Sequence, residues 1–222
     1  MRTVAVLPVK TFPRAKTRIG TSLSDSDRVL LAEAMVADVL DALAAVHGLD
    51  AILMVTGEPR AAAAATRVGA QVLPDPDEPG HSAAAAAGAA WAADDGAERV
   101  LLVPGDCPAL DPLEVDELLE TDAPGLVIVP DRHGTGTNAL LMAPPTLMRP
   151  SFGDGSCARH AALATGIGVP VRIAAVASLA LDVDTPADLD ALRQGLSEHP
   201  GAAPCTRAVL ARLAPAPQHR AS

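Results

Sequence analysis

Short apolar runs rich in Val, Leu and Ile alternate along this chain with segments of helical period, and no other feature limits the fold as much. Thr3–Val9 is the first such run, ended by polar turn chemistry, as expected of a central parallel strand covered on both faces. Ser24-Asp-Ser-Asp27 then reads as a capping box with Asp in place of Glu. Leu30, Leu31, Ala34, Met35, Asp38, Val39 and Ala42 follow at mostly helical spacing. The alternation continues with strand Ala51–Thr56, a helix around Pro59–Val68, strand Ala70–Leu73, helix Ser82–Ala93, strand Arg99–Pro104 and helix Pro112–Glu120. Strands separated by helices of this length imply right-handed crossovers, so the expected class is α/β, a three-layer sandwich around a mostly parallel mixed sheet.

After Glu120 the pattern loosens. Gly125–Pro130 and Asn138–Ala143 read as strands joined by a Gly-rich, hairpin-like excursion, Asp131-Arg-His-Gly-Thr-Gly-Thr137. A helix over Ser156–Thr165, a strand Val169–Val176 and a helix Pro186–Leu196 complete one domain, residues 1–196. From Ser197 onward Pro, Ala, Arg and Gly dominate without clear period, so residues 197–222 read as a flexible tail with at most a short helical piece around Arg207–Leu213.

Composition narrows the chemistry. A formal charge of −10 argues against a nucleic-acid scaffold, which needs a broad basic surface. Aromatics at 1% leave a core of Ala, Val, Leu and Ile and make base stacking a poor binding mode. Cys107, Cys157 and Cys205 are an odd, widely spaced set that fits neither a disulfide framework nor a zinc motif, and they read as reduced thiols in a cytoplasmic protein. No signal-peptide layout precedes the first strand, and the Ala-rich stretch Ser82–Ala93 is too short to span a bilayer. Its face could pair with a second copy in a homo-oligomer or simply pack on the sheet.

Only two lysines occur, Lys10 and Lys16, and both lie with Arg14 and Arg18 in the loop behind the first strand. Neither a Gly-x-Gly-x-x-Gly turn nor a Gly-Lys-Ser/Thr phosphate loop follows that strand, which argues against dehydrogenases and ordinary kinases. Four cations at the ligand-binding edge of an open α/β sheet suit a polyanion such as a nucleoside triphosphate. A solvated basic loop is the alternative. Asp106, in Gly105-Asp-Cys-Pro108, sits just past a buried strand in a place suited to a magnesium ion, although turn aspartates more often bond their own backbone. Asp182 and Asp184, two apart in an extended segment, share a face ahead of Thr185-Pro186, and a helix cap accounts for only one of them.

Two further segments look built for an anion. Gly153 and Gly155 free the backbone ahead of Ser156, where a helix starts with unpaired N–H groups, and Thr137 adds a hydroxyl from the neighbouring loop. Arg159 with His160, one turn on, reads as a second cationic group. Asp75–Ser82 is a Pro-rich connection ending at the Ala-rich helix, with Ser82 as its plausible cap.

Taken in order, Pro8-Val-Lys10, Ala15-Lys16-Thr17-Arg18, Gly105-Asp106-x-Pro108, Pro130-Asp131-Arg-His-Gly-Thr-Gly-Thr137-Asn138, Phe152-Gly-x-Gly-Ser156 followed by Arg159-His160, and Asp182-x-Asp184-Thr-Pro186 resemble the phospholactate or phosphoenolpyruvate guanylyltransferase family over about residues 3–195. The resemblance implies the nucleotide-diphospho-sugar transferase fold and a place in biosynthesis of the deazaflavin coenzyme F420. It implies that Thr137, Gly153 and Ser156 hold a three-carbon phospho-acid, that Lys10, Lys16 and Arg18 face the triphosphate of GTP, and that Asp106 and Asp184 bind magnesium. The family's frequent Gly-Leu-Asn reads Gly80-His81-Ser82 here, so the usual Asn contact to the base has no counterpart at position 82.

The implied reaction joins a phosphate oxygen of phosphoenolpyruvate or 2-phospholactate to the α-phosphorus of GTP and releases pyrophosphate. A phosphomonoester is already mostly dianionic at neutral pH, so no general base is required. Two other readings stay open at this level. One is a nucleotidyltransferase of the same fold acting on a sugar phosphate or pterin; the other is a nucleotide-binding regulator that has lost catalysis.

Overall fold

Alternation within the first strand decides how the layers form. In β1 (Thr3–Val9), Ala5, Leu7 and Val9 point to one side of the sheet and Val4 and Val6 to the other, as strand geometry requires. The first side is covered by α1 (Asp25–Ala44), α2 (Pro59–Arg67) and α4 (Pro112–Leu119); the second by α3 (His81–Asp94) and α5 (Ser156–Gly166). This is the expected three-layer sandwich, seen in a computed structural model that describes residues 1–14, 19, 23–75, 77–120 and 125–213. None of the helices so described is long and apolar enough to cross a membrane.

The remaining strands are β2 (Ala51–Thr56), β3 (Gln71–Pro74), β4 (Arg99–Leu102), β5 (Gly125–Pro130), β6 (Thr137–Ala143) and β7 (Val171–Ile173). Their order across the sheet is β3-β2-β1-β4-β6-β5-β7. Every neighbouring pair is parallel except those made by β6, which runs antiparallel to both β4 and β5. The excursion after β5 is thus a hairpin, and the one reversed strand makes the sheet mixed. At the edge, β7 is shorter than the Val169–Val176 run suggested.

Packing on the second face is unusually close. A Cβ added at Gly88 of α3 would lie 2.4 Å from Val6 Cγ1 and 3.0 Å from Val55 Cγ2, so the helix backbone rests almost on the sheet. The alanines of α3 follow from the same spacing: Ala84, Ala85, Ala89 and Ala92 are buried where larger side chains would push the helix away.

Residues 197–213 depart from the expected loose tail. The sixth helix, α6 (Pro186–Glu198), is followed by α7 (Pro204–Leu213), which packs on α1 with Thr206 and Leu210 buried. Asp38 explains the docking. It occupies an apolar face of α1, 3% exposed, and its carboxylate accepts from the backbone N–H groups of Cys205 (2.9 Å) and Thr206 (2.7 Å). A side chain of one helix thereby caps the open N-terminus of another. Residues 214–222 lie outside the described residues.

Gly88→Ala should lower stability by about 1–3 kcal/mol through overpacking against Val6, even though alanine improves intrinsic helix propensity by about 1 kcal/mol. The urea midpoint at unchanged slope is the measurement.

Candidate active site

Because β6 is reversed, its first residues reach the same edge of the sheet as the last residues of β1, β4 and β5. Thr137 and Asn138 therefore stand beside the turn that carries Asp106 after β4. A cavity of ≈ 1140 Å³ opens along this edge, and its lining includes Lys10, Asp106, Thr137, Gly153, Ser156 and Asp184. Six of the eight residues singled out in the sequence thus share one cavity. Lys16 and Arg18 lie outside the described residues.

Asp106, Asp182 and Asp184 form one acidic group, each offering a carboxylate oxygen within 4.8 Å of the others. Backbone contacts hold them together against their repulsion. The Val183 N–H donates to Asp106 O (3.1 Å), joining the two loops. Asn138 Nδ2 donates to Leu179 O at 2.7 Å and to Asp182 Oδ1 at 3.2 Å. Burial and the Asp106 carboxylate push the Asp182 pKa up; the Asn138 amide pulls it back, and Asp184 adds a further upward push. Such an all-oxygen set has the donor chemistry to hold a hard divalent cation.

The helix cap after this group does double duty. Thr185 Oγ1 accepts from Asp188 N, and Asp188 Oδ2 accepts from the N–H groups of Thr185 (2.7 Å) and Asp184 (3.1 Å). The other oxygen of Asp188 pairs with Arg132 at 2.6 Å. The excursion between β5 and β6 is thereby tied to the acidic loop.

Across the cavity, the segment Ser151–Ser156 forms a cradle. Gly153 (φ 109°) and Gly155 (φ 68°) take backbone conformations that favour glycine, and α5 begins at once. Ser156 is 1% exposed, and its hydroxyl has no hydrogen-bond partner among the described residues. A buried hydroxyl of this kind is costly unless something else satisfies it. The cations expected here play another part. Arg159 donates to the carbonyls of Ser151 (2.8 Å) and Asp154 (3.0 Å) and to the Ser151 hydroxyl (2.9 Å), so it braces the loop from behind. Ser82 is also reassigned: Gly80 caps α3, and the Ser82 hydroxyl accepts from the Phe152 N–H at 2.9 Å.

On the lysine side, two buried glutamates anchor the start of the basic loop. Glu78 accepts from Thr11 N (2.7 Å) and pairs with Arg14 (3.1 Å), and Glu58 accepts from Phe12 N (3.0 Å). Burial pushes both carboxyls up, but these bonds outweigh it and leave both below their usual values. Neither glutamate, nor Asn138, nor Asp188 received a role from the sequence. A polar Asn at the start of an otherwise apolar strand and the Thr185-x-x-Asp188 spacing were the signals available.

His160 is fully enclosed, and burial with the neighbouring Arg159 charge lowers its pKa to about 4. Below an ordinary value of 6.5 the unfolded chain therefore takes up a proton that the folded chain refuses. Stability from the neutral ring is complete above that value and is lost as pH falls toward about 4. Heat-unfolding midpoints followed from pH 7 downward should fall more steeply for the unmodified protein than for His160→Gln.

Comparison with known proteins identifies the family and the fold. The family model described as guanylyl transferase CofC like matches residues 3–196. A phosphoenolpyruvate guanylyltransferase of Conexibacter woesei is 49% identical, over 96% of this chain and 97% of the relative. A 3-phospho-D-glycerate guanylyltransferase of Phenylobacterium zucineum is 36% identical, over 86% of this chain and 89% of the relative. A solved structure from Desulfovibrio desulfuricans G20, named for the nucleotide-diphospho-sugar transferases, superposes with a TM-score of 0.72 at 20% identity, covering 96% of this chain and 95% of that one, and it supports the fold. With the family model spanning the whole sheet and its covering helices, the chain belongs to the CofC-like guanylyltransferases.

Proposed function

We propose that the protein moves GMP from GTP onto the phosphate of phosphoenolpyruvate and releases pyrophosphate, as a cytoplasmic step in making coenzyme F420. One observation carries this reading: Ser156, whose buried hydroxyl has no partner among the described residues, lines the same cavity as Lys10 and the three carboxylates. A small anion at Ser156 and a metal-bound polyanion opposite it are the two reactants such a cavity needs. The 49% identical relative bears the name of phosphoenolpyruvate as acceptor, which favours that acid over 2-phospholactate. The free thiols of Cys107, Cys157 and Cys205 suit a reducing compartment.

In this reading the Thr137 hydroxyl, the Gly153 backbone and Ser156 grip the acid, while Lys10, with Lys16 and Arg18 of the same loop, faces the triphosphate. Asp106 and Asp184, joined by Asp182, would hold magnesium, which supplies charge neutralisation on the triphosphate and its leaving pyrophosphate. A nonbridging phosphate oxygen of the acid forms a bond to the α-phosphorus as the bond to pyrophosphate breaks. The nucleophile is already dianionic, so the residues bring two polyanions together and need not take a proton.

Purified protein given GTP, magnesium and phosphoenolpyruvate should release pyrophosphate, and GTP binding without turnover would favour a regulatory role instead. Phosphoenolpyruvate should also outcompete 2-phospholactate and 3-phosphoglycerate when all are present. Lys10→Ala should lower turnover about 10²-fold, the scale for one lost electrostatic stabiliser. Chelation should abolish pyrophosphate release and added magnesium restore it. Asp184→Asn should lose pyrophosphate release at all magnesium concentrations.

A further inference from the structure

We propose that His160 is a positioning residue that fixes the Thr137 hydroxyl as a hydrogen-bond donor toward the anionic acceptor. The inference rests on the reading that Thr137 and Ser156 bind the phospho-acid, and it adds a residue with no contact to that acid.

The argument follows the hydrogens. The Ser151 backbone N–H can only donate, and it points at His160 Nε2 over 2.9 Å. Nε2 must therefore offer its lone pair. A neutral imidazole carries its single proton on the other nitrogen, so Nδ1 is the N–H. That nitrogen lies 3.1 Å from Thr137 Oγ1. The threonine oxygen consequently accepts from His160, and its own hydrogen is directed elsewhere, into the cavity that Thr137 lines. Were the proton on Nε2, two hydrogens would oppose each other at Ser151 and Thr137 would donate inward to Nδ1. Its lone pairs would then face the anion, and the contact would become repulsive.

The surroundings hold the ring in this state. His160 is fully buried, and the Phe152 ring meets it edge-on at 5.3 Å and 76°. Arg159 keeps the Ser151 carbonyl fixed, which keeps the adjoining amide aimed at Nε2. The same amide–imidazole–hydroxyl relay thus carries the position of the Ser151–Ser156 cradle to Thr137 on β6. This accounts for a histidine at a place where a cation was expected: a neutral ring with one donor and one acceptor joins two groups that a lysine or arginine would not join.

Three variants separate the proposal from the reading beneath it. Thr137→Val and Ser156→Ala test the acid site, and each should raise the KM for phosphoenolpyruvate about 10-fold or more, the scale of a lost hydrogen bond to a charged group. His160→Gln places Oε1 where Nε2 accepts from Ser151 but has no donor toward Thr137. It should raise the KM for phosphoenolpyruvate by about 5–10-fold and leave the KM for GTP within about twofold, with little further effect when Thr137→Val is already present. His160→Asn, whose amide can donate near the Nδ1 position, should recover most of that loss. If Thr137→Val and Ser156→Ala leave the acid KM unchanged, the acid binds elsewhere and the underlying reading fails. If they raise it while His160→Gln does not, or if His160→Gln and Thr137→Val add independently, the positioning role is overturned. Nitrogen-15 spectra of the unmodified protein check the relay without any variant: an Nδ1–H tautomer at His160 is required, and an Nε2–H tautomer sinks it.

Discussion

Three carboxylates held within reach of one oxygen-binding ion are the constraint on which the rest of this structure turns. Left to themselves Asp106, Asp182 and Asp184 would separate, and the loops bearing them would follow. The fold opposes this with a backbone bond between the two loops, the Asn138 amide on the Asp182 carboxylate, and a helix cap whose Asp188 binds the Asp184 N–H. Burial and the Asp106 charge raise the Asp182 pKa, the mark of this crowding.

Opposite that charged wall, neither Arg159 nor His160 lines the cavity. Arg159 is spent on carbonyls and His160 is neutral. What remains for an acid is a set of oriented hydroxyls and amides at the start of α5, with the partial positive charge of a helix N-terminus. Recognition by fixed dipoles suits a small, rigid acceptor, since donors already in place cost no reorganisation on binding. The first residues of the lysine-bearing loop are anchored by Glu58 and Glu78.

Much of this was legible in the chain. Periodicity located every strand of the sheet, and Gly125–Pro130 ended at the residues expected. Thr137, Gly153 and Ser156 could be picked out because glycine and helix-start chemistry leave a local signature. The docking of α7 could not, because its partner surface is a face of α1 some 160 residues earlier in the chain (|i−j| 167 for the Cys205 contact), and a short Ala-Leu-Arg pattern says nothing of what lies beside it. Asp38 in an apolar stripe was the trace left in the sequence. The roles of Arg159 and Ser82 were equally hidden: residue type announces a cation or a cap, but only the backbone of Ser151–Asp154 shows what they bind.

The β5–β6 ladder shifts register at the first two positions of β6, where Pro130 pairs with Thr137 and Val129 with Ala139, and this irregularity sends the side chains of Thr137 and Asn138 to opposite sides. Thr137 turns to His160 and the acid cradle, while Asn138 turns to Leu179 and the acidic group. The two halves of the site are consequently separated by a single peptide unit, and neither can be adjusted alone. A slip of β6 against β4 and β5 would displace the hydroxyl and the amide together and disable both halves. Substitutions along Val127–Val129 or Leu140–Met142, remote from any reactant, therefore reach the chemistry through strand alignment.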